Sequence, residues 1–415
     1  MGAFLTFLRE PDDMKLTIQD IKDYIEQEDV KFIRLAFCDV FGKQKNVSIM
    51  ATEIDRAFES GIAIDASAVK GFGSEDKSDL FLFPDSSTLS VLPWRPSQGS
   101  VVRMYCDIRY PDGTPFEMDC RSLLNNAAKY AKDRGFEISF GAEHEFYLFK
   151  TDEEGYPTNQ VHDRAGYMDI APEDRGVNVR REICLSLSEM GILPESSHHE
   201  EGPGQHEIDF KYSDALSSAD NSVTFKSVVA AIAEQYGLYA DFSPKPLPDE
   251  SGNGLHINIS VKAADGKDYL EPFMAGIMRR IKEITAFLNP SNESYSRLGA
   301  NKAPKYITWS KENRSQLIRI PAGTGEYRRM ELRSPDPLAN PYIAYTLLIY
   351  AGMEGIEENL AAPAPVDLNL FTAAKEEIGE IERLPENLKI ANELAAGSEF
   401  VKSILPQRVI DTYTL

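Results

Sequence analysis

Cysteine is scarce. The 415 residues hold four, Cys38, Cys106, Cys120 and Cys184, far apart and with no Cys-x-x-Cys pair. This excludes thiolate-held zinc and a dense disulfide framework, and fits reduced thiols in a cytoplasmic protein. Long hydrophobic runs are missing too: the apolar start at residues 3–8 is too brief for a spanning helix and lacks a signal-peptide layout, so no membrane partner is expected. Met1-Gly2-Ala3-Phe4-Leu5-Thr6 satisfies the myristoylation pattern, which is permissive enough for a chance match. Basic charge is in deficit. A formal charge of −22 repels polyphosphate backbones and anionic lipid, and no basic patch offsets it, so no nucleic-acid partner is expected. A Walker loop is absent, and Gly71-Phe72-Gly73 is too little to support a dinucleotide fold. Internal repeats, heptad arrays and low-complexity tracts are also lacking.

What is present is 42% hydrophobic content over a length that suits two domains. Residues 31–49 form two strand-like runs that meet at a turn carrying Gly42, a hairpin pattern. Helical patterns flank it at 16–28 and 53–61, so the first hundred residues read as a small α+β unit. Leu92-Pro93-Trp94-Arg95-Pro96-Ser97-Gln98-Gly99 has the composition of a connector and places a boundary near 100–112, drawn here as 1–105 and 106–415. In the larger unit, helical patterns at 121–135, 179–190, 221–236 and 270–288 alternate with strand-like runs, and an Ala/Pro connector at 361–365 precedes an acidic helical tail.

Four short segments carry charge or metal-capable groups with period two: Glu143 and Glu145; Glu207 and Asp209; His256 and Asn258; Arg329, Glu331 and Arg333. A strand sends alternate side chains to one face, so each set points one way while its apolar neighbours point the other. Any one alone reads as an amphipathic strand with a wet face. Four together point further, because like charges on one face repel unless a cation sits between them. Carboxylates with one imidazole and no thiolate suit Mg²⁺ or Mn²⁺. With Glu200, which follows His198 and His199, the set suffices for two or three ions. Arg297, Arg314, Arg319, Arg329 and Arg333 add forked donors that match phosphate and carboxylate oxygens. Singly each reads as a surface ion pair; gathered near metal ligands they suggest phosphoryl transfer. Ser251-Gly252-Asn253-Gly254 permits close backbone approach to a ligand, although a plain loop between strands is the competing and locally stronger explanation.

In chain order, Gly141-Ala142-Glu143-His144-Glu145-Phe146, His198-His199-Glu200, Gly204-Gln205-His206-Glu207-Ile208-Asp209-Phe210, Gly254-Leu255-His256, Asn313-Arg314-Ser315 with Ile318-Arg319-Ile320-Pro321, and residues 329–340 resemble the signature series of type I glutamine synthetases over nearly the whole chain. The resemblance implies an α+β fold, with a small N-terminal β-grasp-like domain and a larger catalytic domain whose curved antiparallel sheet is flanked by helices. It implies a homo-oligomer, a double-ring dodecamer, with active sites between the N-terminal domain of one subunit and the catalytic domain of the next. Glu145, Glu200 and Glu207 would hold one metal ion, and Glu143, His256 and Glu331 another. Arg297, Arg333 and Gly252 would grip glutamate, Arg314, Arg319 and Arg329 would face the phosphates of ATP, and Ser260 would belong to the nucleotide site. Asp65 and Asp79 would orient the incoming amine. The implied reaction has ATP phosphorylate the γ-carboxylate of glutamate, after which the deprotonated amine attacks the acyl phosphate.

The sequence departs from the family pattern at the flap, Leu298-Gly299-Ala300-Asn301-Lys302-Ala303-Pro304, where Lys302 stands in place of the usual glutamate. A protonated lysine repels ammonium and cannot take its proton. Ser251 replaces a usual asparagine and Glu326 a common lysine. Asn369-Leu370-Phe371 occupies the place where some members present an adenylylated tyrosine, so that modification is not expected. Three readings follow: glutamine formation from ammonia, γ-glutamyl amide formation from a larger amine, and a non-catalytic scaffold, the last disfavoured by the presence of all six metal-ligand positions.

Overall fold

The computed structural model describes residues 16–73, 78–95 and 99–415. The apolar start with its myristoylation-like pattern, and Pro96, Ser97 and Gln98 of the connector, lie outside the described residues. Among the described residues no helix is long and apolar enough to cross a membrane.

The expected hairpin is β1 (Val30–Cys38) and β2 (Gln44–Met50), paired from Phe32↔Met50 to Cys38↔Gln44 and turned at Gly42, whose φ of +74° favours glycine. With β3 (Ile62–Asp65), β4 (Asp79–Pro84), β5 (Ser90–Val91) and β6 (Ser100–Arg109) it forms a sheet in the order β2-β1-β6-β4-β3, with β5 on β6. β6 lies parallel to β1 at the centre, so this sheet continues to Arg109, past the 105/106 division. Thr17 caps the helix Ile18–Gln27 through a capping box with Asp20, which fixes where that helix starts.

The second sheet holds β7 (Phe136–Thr151), β8 (Pro157–Val161), β9 (Pro194–His199), β10 (Gln205–Phe210), β11 (Ser213–Asp214), β12 (Leu238–Asp241), β13 (Leu255–Ala263), β14 (Trp309–Lys311), β15 (Ile318–Ile320) and β16 (Met330–Leu332). Its order is β14-β15-β16-β13-β7-β10-β9, with β8, β11 and β12 also on β7. The pairings are antiparallel except β14 with β15, which run parallel.

Along β7 the period-two pattern separates two environments. Phe140, Ala142, His144, Phe146 and Leu148 are buried against helices, where Phe140 stacks on Tyr345 at 4.1 Å and the His144 ring on Phe225 at 4.9 Å. Each large apolar side chain so buried contributes about 1.5–3 kcal/mol. Helix Ala215–Gln235 begins at its Asp214 cap, earlier than residue 221 where its apolar pattern becomes regular. Helices Leu270–Leu288 and Pro341–Glu357 pack so closely that a Cβ at Gly276 would lie 2.1 Å from the Ala351 carbonyl oxygen, so only glycine fits there. The two units are tied together by buried Arg121, which donates to Asp85 and Asp107 of the first and to Asp220 of the second at 2.9, 3.2 and 3.0 Å.

Candidate functional site

The register of the second sheet aligns the charged sets in rows across neighbouring strands. Glu145 faces Glu207, which faces His198; Glu143 lies between Asp209 and His256; Asn258 faces Glu331, which faces Arg319. Four segments far apart in sequence thus share one surface, the floor of a cavity of about 450 Å³. Glu143, Glu145, Glu200, Glu207 and His256 line it together with Gly252, Arg297, Arg314, Arg319, Arg329 and Arg333. A larger hollow of about 950 Å³, near Lys150, His162, Arg175 and Glu250, lies away from these rows.

Two sets of potential ligands converge. Glu143, Glu207 and His256 offer donor atoms within 4.8 Å of one another, and so do His198, Glu200 and Glu207. Within them, His256 Nδ1 stands 3.2 Å from Glu143 Oε2, and His198 Nε2 stands 3.0 Å from Glu200 Oε1. Glu207 belongs to both sets. The other two expected ligands are engaged by protein donors: Glu145 Oε2 accepts from the Gly254 amide at 2.7 Å, and fully buried Glu331 pairs with Arg319 and, at 2.5 Å, with Arg333. His256 Nδ1 is 3.8 Å from Glu331 Oε1, so this pair borders the first set.

The electrostatics follow from burial and crowding. Burial, then the neighbouring carboxylates Glu145, Asp209, Glu143 and Glu200, pushes Glu207 well above the ordinary carboxylate range. Burial and Glu143 raise Asp209 to about 6. Burial works in the same direction on Glu143 but is overridden by the His256 and Asn258 hydrogen bonds and by Arg333, which hold it at about 2. Directly opposed like charges destabilise a strand pair. At about 4 Å and an effective dielectric near 20, each costs about 4 kcal/mol if both are ionised. A divalent cation among these oxygens reverses that sign, and a set of carboxylates with imidazole and no thiolate suits Mg²⁺ or Mn²⁺.

The glycine-containing loop read from the sequence approaches Arg297. A Cβ at Gly252 would lie 2.4 Å from the Pro244 carbonyl oxygen and 3.0 Å from Arg297 Cγ. Arg297 is itself buried, its guanidinium donating to the carbonyls of Ser334 at 2.8 Å and Arg333 at 3.3 Å. Ser260 lies in an adjoining hollow of about 260 Å³ that shares Glu143, Asp209 and Arg329 with the main cavity. Lys302 reaches the rim, with its backbone at φ +67°, its ammonium paired with Glu201 and 5.7 Å from the Tyr167 ring centre. The side chain of Glu326 lies outside the described residues. Asp65 and Asp79 are not brought to this cavity; they face each other, exposed, across β3 and β4 of the first sheet.

Asn258 and Asp209 belong to the period-two sets seen in the sequence but had no role there, and His198, Gln205, Tyr167 and Glu201 had none either; the geometry draws all of them in. Asn258 donates to Glu143 at 2.7 Å and accepts from Arg329 Nε at 2.9 Å, joining the cation side to the arginine side. His198 and Asp209 stand beside expected ligands, and their adjacency to Glu200 and Glu207 in the motifs was the available signal. Gln205, Tyr167 and Glu201 line the cavity without a periodic signature of their own.

Residues 29–111 match the family described as "Glutamine synthetase, beta-Grasp domain", and residues 117–415 match "Glutamine synthetase, catalytic domain". The chain is 43% identical to a glutamine synthetase of Clostridium saccharobutylicum, over 96% of this chain and 94% of that one. It is 44% identical to a glutamine synthetase of Methanosarcina mazei, over 96% and 92%. Among solved structures, GmaS in complex with ADP superposes with a TM-score of 0.86 at 28% identity, over 95% of this chain and 94% of that one. The motif series, the two-sheet architecture and matches that together span most of the sequence agree: the chain belongs to the glutamine synthetase family.

Proposed function

We propose that the chain is an ATP-dependent ligase that forms glutamine from glutamate and ammonia through a γ-glutamyl phosphate. The observation that carries this reading is the convergence of Glu143, Glu207 and His256, and of His198, Glu200 and Glu207, on a cavity rimmed by Arg314, Arg319, Arg329 and Arg333. Glu207, which burial and neighbouring carboxylates push well above the ordinary carboxylate range, stands in a cavity that arginines also line, and cations held by the acids on one side with guanidinium groups on the other suit a nucleotide's phosphates.

Two or three Mg²⁺ or Mn²⁺ ions belong to this proposal, one held by Glu145, Glu200 and Glu207 and another by Glu143, His256 and Glu331. Bound there, they supply charge neutralisation for the transferring phosphoryl group. Arg314, Arg319 and Arg329 orient the phosphates, and the hollow at Ser260 takes the nucleotide. Arg297, Arg333 and the backbone at Gly252 hold glutamate with its γ-carboxylate toward the phosphoryl donor. Asp65 and Asp79 take the role of orienting the amine from a neighbouring subunit, which fits their absence from the lining of their own chain's cavity. A cytoplasmic dodecamer completes the proposal.

A second reading, a larger amine as acceptor, rests on Lys302 at the rim in place of a carboxylate. ADP release measured with ATP, Mg²⁺ and glutamate over ammonia, methylamine, putrescine and aromatic amines separates the two. Ammonia giving the highest turnover is expected; no release with any acceptor contradicts the ligase reading. Lys302→Glu sharpens the result, since a strong rise in ammonia-dependent turnover in that variant favours the larger amine.

A further inference from the structure

The strand pair that carries Glu200 and Glu207 has a second face. β9 and β10 set His199 opposite His206 just as they set His198 opposite Glu207. The alternation of a strand turns the first pair away from the cavity, and both rings are fully buried. Glu200 follows the last residue of β9, where the ladder ends, and its carbonyl oxygen lies 2.7 Å from His199 Nδ1. The other ring nitrogen, Nε2, lies 2.9 Å from Asp163 Oδ1. Asp163 is buried as well and collects three distant pieces of chain. Besides His199, it accepts from the Gly204 amide at 3.1 Å and the Arg175 amide at 2.9 Å.

Asp163, His199 and His206 place potential ligand atoms within 4.8 Å of one another, so a buried cation is the competing explanation. Arg180 decides against it. Its Nη1 lies 2.8 Å from His206 Nδ1, and a guanidinium can only donate, so Nδ1 accepts and the ring proton sits on Nε2. Nε2 then has no lone pair for a metal ion. Both nitrogens of His199 are already engaged, and Arg180 is held in place by buried Asp174 at 2.6 Å. The cluster binds chain to chain.

We infer that Asp163 and His199 are positioning residues that lock the main chain of Glu200, so that its carboxylate stands ready beside His198 and Glu207 before any cation arrives. A ring pinned between a carboxylate and a carbonyl has one orientation, and a carbonyl pinned by that ring fixes the side chain leaving the same residue. Partners one layer behind a metal site set its affinity in this way, typically by about ten- to hundredfold. The inference rests on the reading of the cavity as a cation site.

The test is Mn²⁺ binding to the full-length protein, followed by electron paramagnetic resonance without nucleotide or turnover. His199→Leu and Asp163→Asn, checked for folding by circular dichroism, are expected to bind Mn²⁺ about ten- to hundredfold more weakly than the wild type. His199→Gln, which keeps one donor, recovers part of what His199→Leu loses. Folded variants with wild-type affinity overturn the inference, as do equal losses in His199→Leu and His199→Gln; should His199→Leu not fold, Asp163→Asn against the wild type decides. A wild-type protein that holds no Mn²⁺ contradicts the cation site itself, a separate outcome.

Discussion

Both sheets set acids directly opposite each other, and only one of them suffers for it. In the first sheet Asp65 faces Asp79 with both side chains exposed, and hydrogen bonds from the Ser67 hydroxyl and amide lower the Asp65 pKa. In the second sheet Glu145 faces Glu207 and Glu143 faces Asp209 on the floor of a cavity, and burial drives Glu207 and Asp209 upward. The register is the same; water is the difference. Exposed like charges are screened and cost little, whereas buried ones must take up protons, find arginine or bind a cation. A sheet built with that demand in its interior has a use for positive charge.

The largest test of this contrast is Glu331→Ala. Glu331 is fully buried and pairs with Arg319 and Arg333, so its loss leaves Arg333, itself 3% exposed, with an uncompensated charge. ATP turnover is expected to fall about a hundred- to a thousandfold, as when a transition-state-stabilising group is removed. Stability to urea is expected to fall by about 3–5 kcal/mol. Normal turnover in that variant breaks the site assignment.

Glu207→Gln comes next and separates stability from binding. Removing a crowded carboxylate relieves repulsion in the metal-free protein, which is expected to gain about 1 kcal/mol in a denaturant melt. The same change weakens Mn²⁺ binding about a hundredfold by calorimetry, because both convergent sets use Glu207. A loss of metal-free stability contradicts the account of crowding.

A pH series tests the same groups without mutation. Asp209 is raised to about 6 and Glu207 further, so each holds a proton in the folded metal-free chain at pH values where the unfolded chain has released it. Their contribution to metal-free stability is therefore full below the ordinary carboxylate range and is lost as pH rises from there through 6 and, for Glu207, beyond. Mn²⁺ must displace those protons, so its affinity rises with pH over the same window, by up to about tenfold per unit per proton. A flat profile between pH 5 and 7 removes the contrast between the sheets. The smallest effect is Asp79→Asn, expected to change stability by less than about 0.5 kcal/mol, since that acid is exposed. A gain as large as that from Glu207→Gln means exposure does not distinguish the two pairs.

Much of this arrangement was legible in the sequence because a strand's period of two is visible in a few residues. Glu143 and Glu145 on β7, Glu207 on β10 and Glu331 on β16 could each be assigned a face, and the hairpin at Gly42 announced itself by its turn. Helix Leu270–Leu288 was legible to its last residue through its amphipathic pattern. Helix Pro341–Glu357 was not singled out, because it is buried on almost every side and its apolar residues keep no period. Register was also hidden: nothing in the sequence says that Asn258 will stand opposite Glu331 or that Glu207 will serve two ligand sets. The network of Asp163, His199 and Arg180 depends on a loop and a helix start meeting the back of a strand pair, which local patterns do not encode.

The central claim is that side chains from β7, β10 and β13 meet around divalent cations. Crystals grown with Mn²⁺ and measured at the manganese absorption edge test it directly. Anomalous peaks within coordination distance of Glu143, Glu207 and His256, with a second beside Glu200, are the expected result. Manganese bound only elsewhere on the protein, with these side chains unliganded, contradicts the account.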